Sequence, residues 1–232
     1  MLVEAALEGV EVDRSGLEER VYAVLRQKIL DRELVPGAVL TIRQVAAALG
    51  VSPTPVRDAL RRLQSEALVR ERGRLGAEVV GLSAQDIIDL FGARAALETY
   101  AARIAALSHS PALIASMRAV VRRFPETFHG NHYTDYERFA TLDSEFHYQI
   151  IGAADNDRLM RMDQALHVHI QLARIYQREV EQRALANHRE HEAIVEALAE
   201  GDAEGMARAA NAHIENVRDH ILHIMGPGDV VI

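Results

Sequence analysis

The chain has 232 residues, 49% of them hydrophobic, and a formal charge of −8, which allows one large core or two small ones. It has no cysteine for disulfides or thiolate metal sites, no apolar run long enough to span a membrane, and no basic secretory start in Met1 to Gly16, so a soluble cytoplasmic protein is expected. The charge is uneven: residues 17–80 carry a balance of +3 and residues 81–232 one of −8, which suits a DNA contact confined to one end.

Residues 1–16 read as an N-terminal tail. Val21, Val24, Leu25 and Ile29 then repeat at helical spacing over 17–32. Pro36-Gly37 makes a turn, and Thr41 is placed to cap a helix over 42–49 that Gly50 ends. A third helix starts near Pro53, where proline is tolerated in a first turn, and runs to about Glu66. Leu68-Val69-Arg70 and Glu78-Val79-Val80 are short strand candidates, with Gly73-Arg74-Leu75-Gly76 as the hairpin tip. Three helices and a two-stranded wing over 17–80 predict a winged helix-turn-helix, whose third helix is presented to DNA.

Ser83 reads as the cap of the next segment, and the pattern becomes almost wholly helical. Helices are expected near 84–107, 111–128, 135–152, 156–180, 183–200 and 202–224, with breaks at Ser110-Pro111, Gly130-Asn131, Asp155-Asn156 and Gly201-Asp202. The fold class is therefore mainly α, a winged helix-turn-helix followed by an all-helical antiparallel bundle over 83–224. Residues 225–232 read as a C-terminal tail, frayed at Gly226-Pro227-Gly228.

The candidate DNA contacts follow from position. Ser52 and Thr54 supply hydroxyls, beside backbone amides, at the start of the third helix, where phosphate binds. Arg57 lies one turn in, within reach of a guanine edge or a phosphate. Arg43 opens the preceding helix, Arg61 and Arg62 follow Arg57 by one turn, and Arg72 and Arg74 sit at the wing. Residues 17–80 resemble the winged helix-turn-helix of GntR-family bacterial transcription regulators. The match runs in order through Pro36-Gly37, Val51-Ser52, Thr54-Pro55-Val56-Arg57, Ala59-Leu60, Leu68-Val69 and Gly76-Ala77-Glu78-Val79. Three positions depart from the family pattern: Pro53 where many members have a DNA-contacting arginine, Leu75 where the wing often has arginine, and Ala67 in place of a usual glycine.

In the bundle, Asp143 and His147 share one helical face with Phe139, Phe146 and Ile150, so both point inward and need partners. His191 shares a stripe with Ile194, Val195 and Leu198, and His213 one with Met206, Val217 and Ile224. One carboxylate and three imidazoles converging inside a bundle would suit Zn²⁺, Ni²⁺, Mn²⁺ or a similar ion, with positions left open for water or a ligand. The chain has eleven histidines, and His167/His169, His188/His191 and His220/His223 are rival pairs between which spacing does not choose. Arg94 shares a face with Ile87, Leu90, Phe91 and Leu97; an inward guanidinium calls for an anion, either a ligand carboxylate or Glu98 at i,i+4. Asn156 is either a helix cap or a polar wall of the pocket.

Residues 83–224 are similar to the helical ligand-binding FCD domain of the FadR subfamily. The likeness rests on Asp143, Phe146-His147, Asn156, Glu190-His191 with Ile194, Gly201-Asp202 and His213. It implies a divalent metal, zinc before nickel or manganese, held by Asp143, His147, His191 and His213, with Arg94 facing the effector pocket. The implied protein is not an enzyme. It is a homodimeric transcription regulator, more often a repressor, that binds a palindromic double-stranded operator and responds to a small carboxylate or sugar acid. A sensor of the metal ion itself and a metal-dependent hydrolase are the alternatives.

Overall fold

A computed structural model describes residues 2–7, 16–73, 76–179, 183–225 and 230–231. The chain divides into two compact units, residues 1–83 with 228–232, and residues 84–227.

The first unit is built from α1 (Leu2–Leu7), α2 (Leu17–Leu30), β1 (Val39–Thr41), α3 (Ile42–Leu49), α4 (Pro53–Ser65), β2 (Val69–Glu71), β3 (Gly76–Val79) and β4 (Leu82–Ser83). Helix α2 buries Val21, Tyr22, Leu25 and Ile29 against α4, which answers with Val56, Ala59, Leu60 and Leu63. Thr41 caps α3 by accepting the Gln44 amide at 3.2 Å, and Gly50 ends that helix at φ 63°. Pro53 and Pro55 lie in the first turn of α4, where the amide they lack has no partner inside the helix.

The wing is larger than expected. Its sheet has three antiparallel strands in the order β1-β3-β2, pairing Leu40 with Ala77 and Arg70 with Glu78. Strand β1 is three residues long, too short to show an alternating pattern. Its close approach explains Gly76, because any side chain there would strike the Leu40 carbonyl oxygen. Ala67 stands at φ 52°, the left-handed conformation that glycine adopts without strain.

Both proposed tails contain structure. Leu2–Leu7 form α1, which packs on α3 and buries Val3, Ala6 and Leu7. Val230–Val231 form β7, antiparallel to β4. Gly226-Pro227-Gly228 lies outside the described residues.

The second unit contains α5 (Ala84–Ser108), α6 (Pro111–Val121), α7 (Tyr136–Gly152), α8 (Asp157–Glu179), α9 (Ala184–Glu200) and α10 (Ala203–Ile224). Helix α5 packs against α7, α8, α9 and α10, and α6 packs on α7 and α9. Alanines 101, 102, 105 and 106 on α5 let its neighbours approach closely, and Phe139, Leu142, Phe146 and Ile150 of α7 fill the core. Asp202 caps α10 by accepting the Gly205 amide at 2.8 Å.

The helix expected over 111–128 stops at Val121. Pro125 disfavours α geometry at Phe124, and Phe124–Thr127 form a 3-10 turn instead. The chain then makes a hairpin, β5 (Phe128–His129) and β6 (His132–Tyr133), around Gly130-Asn131, with Gly130 at φ 60°.

Candidate functional site

The four polar residues of the bundle come together. Asp143 and His147, one turn apart on α7, meet His191 of α9 and His213 of α10, and each offers a ligand atom within 4.8 Å of the others. All four are buried. Asp143 Oδ1 lies 3.2 Å from His191 Nε2 and 3.7 Å from His147 Nε2. Ligand bonds of about 2.0–2.2 Å set neighbouring donor atoms roughly 3–4 Å apart around one ion, so these spacings fit a shared cation. Among the described residues, none of His167, His169, His220 and His223 joins the group. His188 packs its ring near Phe124 and Phe128, with Nε2 3.4 Å from Glu192.

The outer faces of two imidazoles are held by matching arms. His147 Nδ1 lies 2.5 Å from Glu98 Oε2, and Arg94 Nε donates to Glu98 Oε1 at 2.5 Å. On the other side His213 Nδ1 lies 2.7 Å from Glu190 Oε2, and Glu190 Oε1 accepts from Arg183 at 2.5 Å and Asn216 at 2.9 Å. A carboxylate on Nδ1 fixes the ring and leaves Nε2 as the electron-pair donor, the arrangement that supports metal-bound histidine. Among the described residues His191 has no such arm; Phe124 stacks on its ring at 4.7 Å, and Phe146 lies 4.5 Å away.

Burial disfavours the charge on Glu98, but Arg94 and His147 overcome it and hold the carboxyl at about 2. Burial, then the neighbouring imidazoles, keeps His213 well below the usual histidine range, and burial likewise lowers His191. For His147, burial pulls down and Glu98 pulls up, with a net rise.

The residues fit a divalent ion on two observations. Among the described residues the buried His147 Nε2 and His191 Nε2 make no aligned hydrogen bond and face Asp143 Oδ1 at 3.7 and 3.2 Å, an arrangement that a shared cation would satisfy. The surrounding charge also suits a cation: three buried carboxylates, Glu98, Asp143 and Asp163, act on Arg94.

Arg94 is 2% exposed and bound to Glu98, the i,i+4 partner, while its Nη2 has no hydrogen bond among the described residues. Asn156 is not drawn into the buried cluster. It is exposed, and its side-chain oxygen caps α8 through the amides of Arg158 at 3.0 Å and Leu159 at 3.2 Å.

In the other unit, Arg43 of α3, Ser52 at the start of α4, and Thr54, Arg57 and Arg61 of α4 are all exposed. Arg57 and Arg61 line a groove between α4 and the wing, with Gln64, Glu71 and Gly76. Arg43 and Arg57 have no ion pair among the described residues, whereas Arg61 is bound to Asp58 at 3.0 Å. Arg62 is a brace: it pairs with Glu19 and lies over the Tyr22 ring at 3.6 Å. Arg72 is held 3.4 Å from Glu78, and Arg74 lies outside the described residues.

Comparison with known proteins decides the family. Residues 89–216 match the model of the FCD domain, and residues 17–79 that of bacterial regulatory proteins of the gntR family. An uncharacterized HTH-type transcriptional regulator in an unstable DNA locus of Streptomyces ambofaciens is 30% identical over 207 residues, covering 88% of this chain and 84% of the relative. The chain belongs to the GntR family. As a GntR regulator with an FCD domain it is a DNA-binding transcription factor. A probable D-xylose utilization operon transcriptional repressor of Paenarthrobacter nicotinovorans is 29% identical, covering 94% of this chain and 95% of that one. The solved structure of E. coli McbR/YncC shares the fold with a TM-score of 0.70 at 21% identity, covering 90% of this chain and 98% of that one. Among the described residues no helix is long and apolar enough to cross a membrane.

Sequence reasoning missed Glu190 and Phe124 as parts of the site. Glu190 precedes His191 and was visible only as part of a motif; the partner it holds, His213, lies 23 residues on. Pro125 is the signal that would have removed Phe124 from a helix and freed it to stack on His191.

Proposed function

We propose that this GntR regulator is a cytoplasmic homodimer that binds a palindromic operator and responds to a small carboxylate or sugar acid at a metal centre in its helical domain. The winged domain spans 17–80 and the effector domain 83–224. Asp143, His147, His191 and His213 hold a divalent ion, zinc in preference to nickel or manganese, and Arg94 meets the effector. The observation that carries this reading is the convergence of the buried His147 Nε2 and His191 Nε2 on Asp143 Oδ1, together with an Arg94 Nη2 that has no hydrogen bond among the described residues. The ion, when bound, offers open Lewis-acid positions to a carboxylate, and a guanidinium meets a second oxygen.

A regulator without turnover is supported by the state of the surrounding carboxylates. Glu98 and Glu190, the acids next to the imidazoles, are each tied to an arginine and a histidine, which leaves neither as a free general base. On the DNA side, Thr54 and Arg57 of α4 and Ser52 at its cap contact the operator with Arg43 and Arg61, and Arg74 is the further contact expected from its place in the sequence. The relative from Paenarthrobacter nicotinovorans is by its name a probable repressor of a D-xylose utilization operon, and repression relieved by effector is the proposed sense here.

A thermal-shift screen of carboxylic and sugar acids, with and without zinc, tests the reading, because binding to the folded state raises the melting temperature. An acid that raises it only with zinc present, and releases operator DNA in a gel shift, is the expected result. DNA release by zinc alone, with no acid required, would favour the metal-sensor alternative.

A further inference from the structure

One helical turn from the metal ligands lies a second polar layer, with Asn187 buried and Arg183 half-buried. Arg183, Asn187 and His191 follow one another at intervals of four at the start of α9, so successive members stand about 6 Å apart along the axis. Asn187 is 1% exposed. Its amide nitrogen donates to the Tyr133 hydroxyl at 2.6 Å, and its oxygen has no hydrogen-bond partner among the described residues. Arg183 donates from Nη2 to Glu190, while Nη1, shielded from solvent, donates to nothing among the described residues. Turning the Asn187 amide over exchanges its two polar atoms but still leaves one unused.

The hairpin and α7 place this layer beside the cluster independently. Tyr133 packs on Phe139 with ring centroids 4.4 Å apart, and Phe139 stands one turn before Asp143 on α7. Tyr133 and Glu190 therefore fix Asn187 and Arg183, yet leave a donor and an amide atom unpaired on one stripe. Buried polar groups are ordinarily paired. A hydroxyl, which both donates and accepts, satisfies such a pair, and a methylene satisfies neither.

We propose that Arg183 and Asn187 form a hydroxyl-recognition subsite, which makes the effector a hydroxylated acid of roughly four to six carbons. Its carboxylate lies at the metal and Arg94, and a hydroxyl about 6 Å away reaches Asn187 and Arg183. This rests on the reading of the cluster as a metal and effector site. It adds the two residues that separate hydroxy acids from plain acids of the same length.

The test is isothermal titration of the zinc-loaded full-length chain with acids matched in length: L-tartrate against succinate, D-xylonate against pentanoate, D-gluconate against hexanoate. At least one hydroxylated acid should bind about tenfold or more tighter than its partner, because a site built for a hydroxyl rejects the analogue lacking it. The preference should fall to about threefold or less in Asn187→Leu, and in Arg183→Met, which serves as the second variant should the first fail to fold. No preference in any pair, or a preference intact in the folded variants, overturns the subsite. Zinc content measured on the same samples tells the failures apart. A zinc-loaded chain without the preference overturns the subsite alone, and a chain that takes up no zinc overturns the metal reading and the subsite with it.

Discussion

Replacing Glu98 by glutamine keeps the shape of the side chain and removes its charge. Glu98 is 1% exposed and receives the Arg94 guanidinium and the His147 ring, each at 2.5 Å. Removing one partner of a buried ion pair costs about 3–5 kcal/mol, because the other charge stays behind uncompensated. Asp143 and Asp163 also act on Arg94, which places the expected loss at the low end, about 3 kcal/mol. For a chain of this size each kcal/mol moves the melting temperature by about 2–4 °C, so Glu98→Gln should melt roughly 6–12 °C lower than wild type in EDTA. Zinc affinity should fall about 10–100-fold as His147 loses its ionised partner. Glu192→Gln is the control: Glu192 is half-exposed beside His188, and such surface changes stay within about 0.5 kcal/mol. A Glu98→Gln protein that melts within 2 °C of wild type, measured by calorimetry, and binds zinc as tightly would refute this account of the arm.

Other outcomes follow from the same geometry. Arg57→Ala should weaken operator binding by about 1–3 kcal/mol per half-site and flatten its salt dependence if the contact is to phosphate; unchanged gel-shift affinity across a salt series would remove Arg57 from the interface. Ala67→Gly should stabilise the winged unit by about 0.5–1 kcal/mol in thermal melting, since it relieves a side chain at φ 52°, whereas a loss of stability would contradict that backbone reading. Gly76→Ala should cost about 1–3 kcal/mol by driving a methyl into the Leu40 carbonyl, and an unaffected melting curve would mean that β1 and β3 do not pair closely. Zinc added at a hundred times its dissociation constant should stabilise the chelator-treated protein by about 2.7 kcal/mol, seen as a rise of several degrees that EDTA reverses; no rise would leave the cluster without an ion.

The DNA-binding unit was legible because its signals are local. Thr41, Gly50 and the prolines of α4 act within one turn of where they stand, and each behaves as its chemistry dictates. Strand β1 was not legible, since three residues carry no alternation and its pairing with β3 is set 37 residues downstream, as between Leu40 and Ala77. In the bundle, the i,i+4 spacing put Asp143 and His147 on one face. Choosing His191 and His213 from eleven histidines needed either the family resemblance or the fold. The arms were half visible: Arg94 and Glu98 are four apart on one helix, but the reach of Glu98 to His147 and of Glu190 to His213 is made by helix packing and leaves no trace in spacing. Phe124 was hidden by treating Pro125 as part of a helix.

The claim on which the rest depends is that Asp143, His147, His191 and His213 together hold one divalent ion. Zinc titrated calorimetrically into the chelator-treated chain, alongside a His147→Ala plus His191→Ala variant, measures it. The account predicts one tightly bound ion per wild-type chain, confirmed by elemental analysis, and none in the folded variant. Wild-type protein that takes up no ion, or a variant that keeps it, would contradict the assignment.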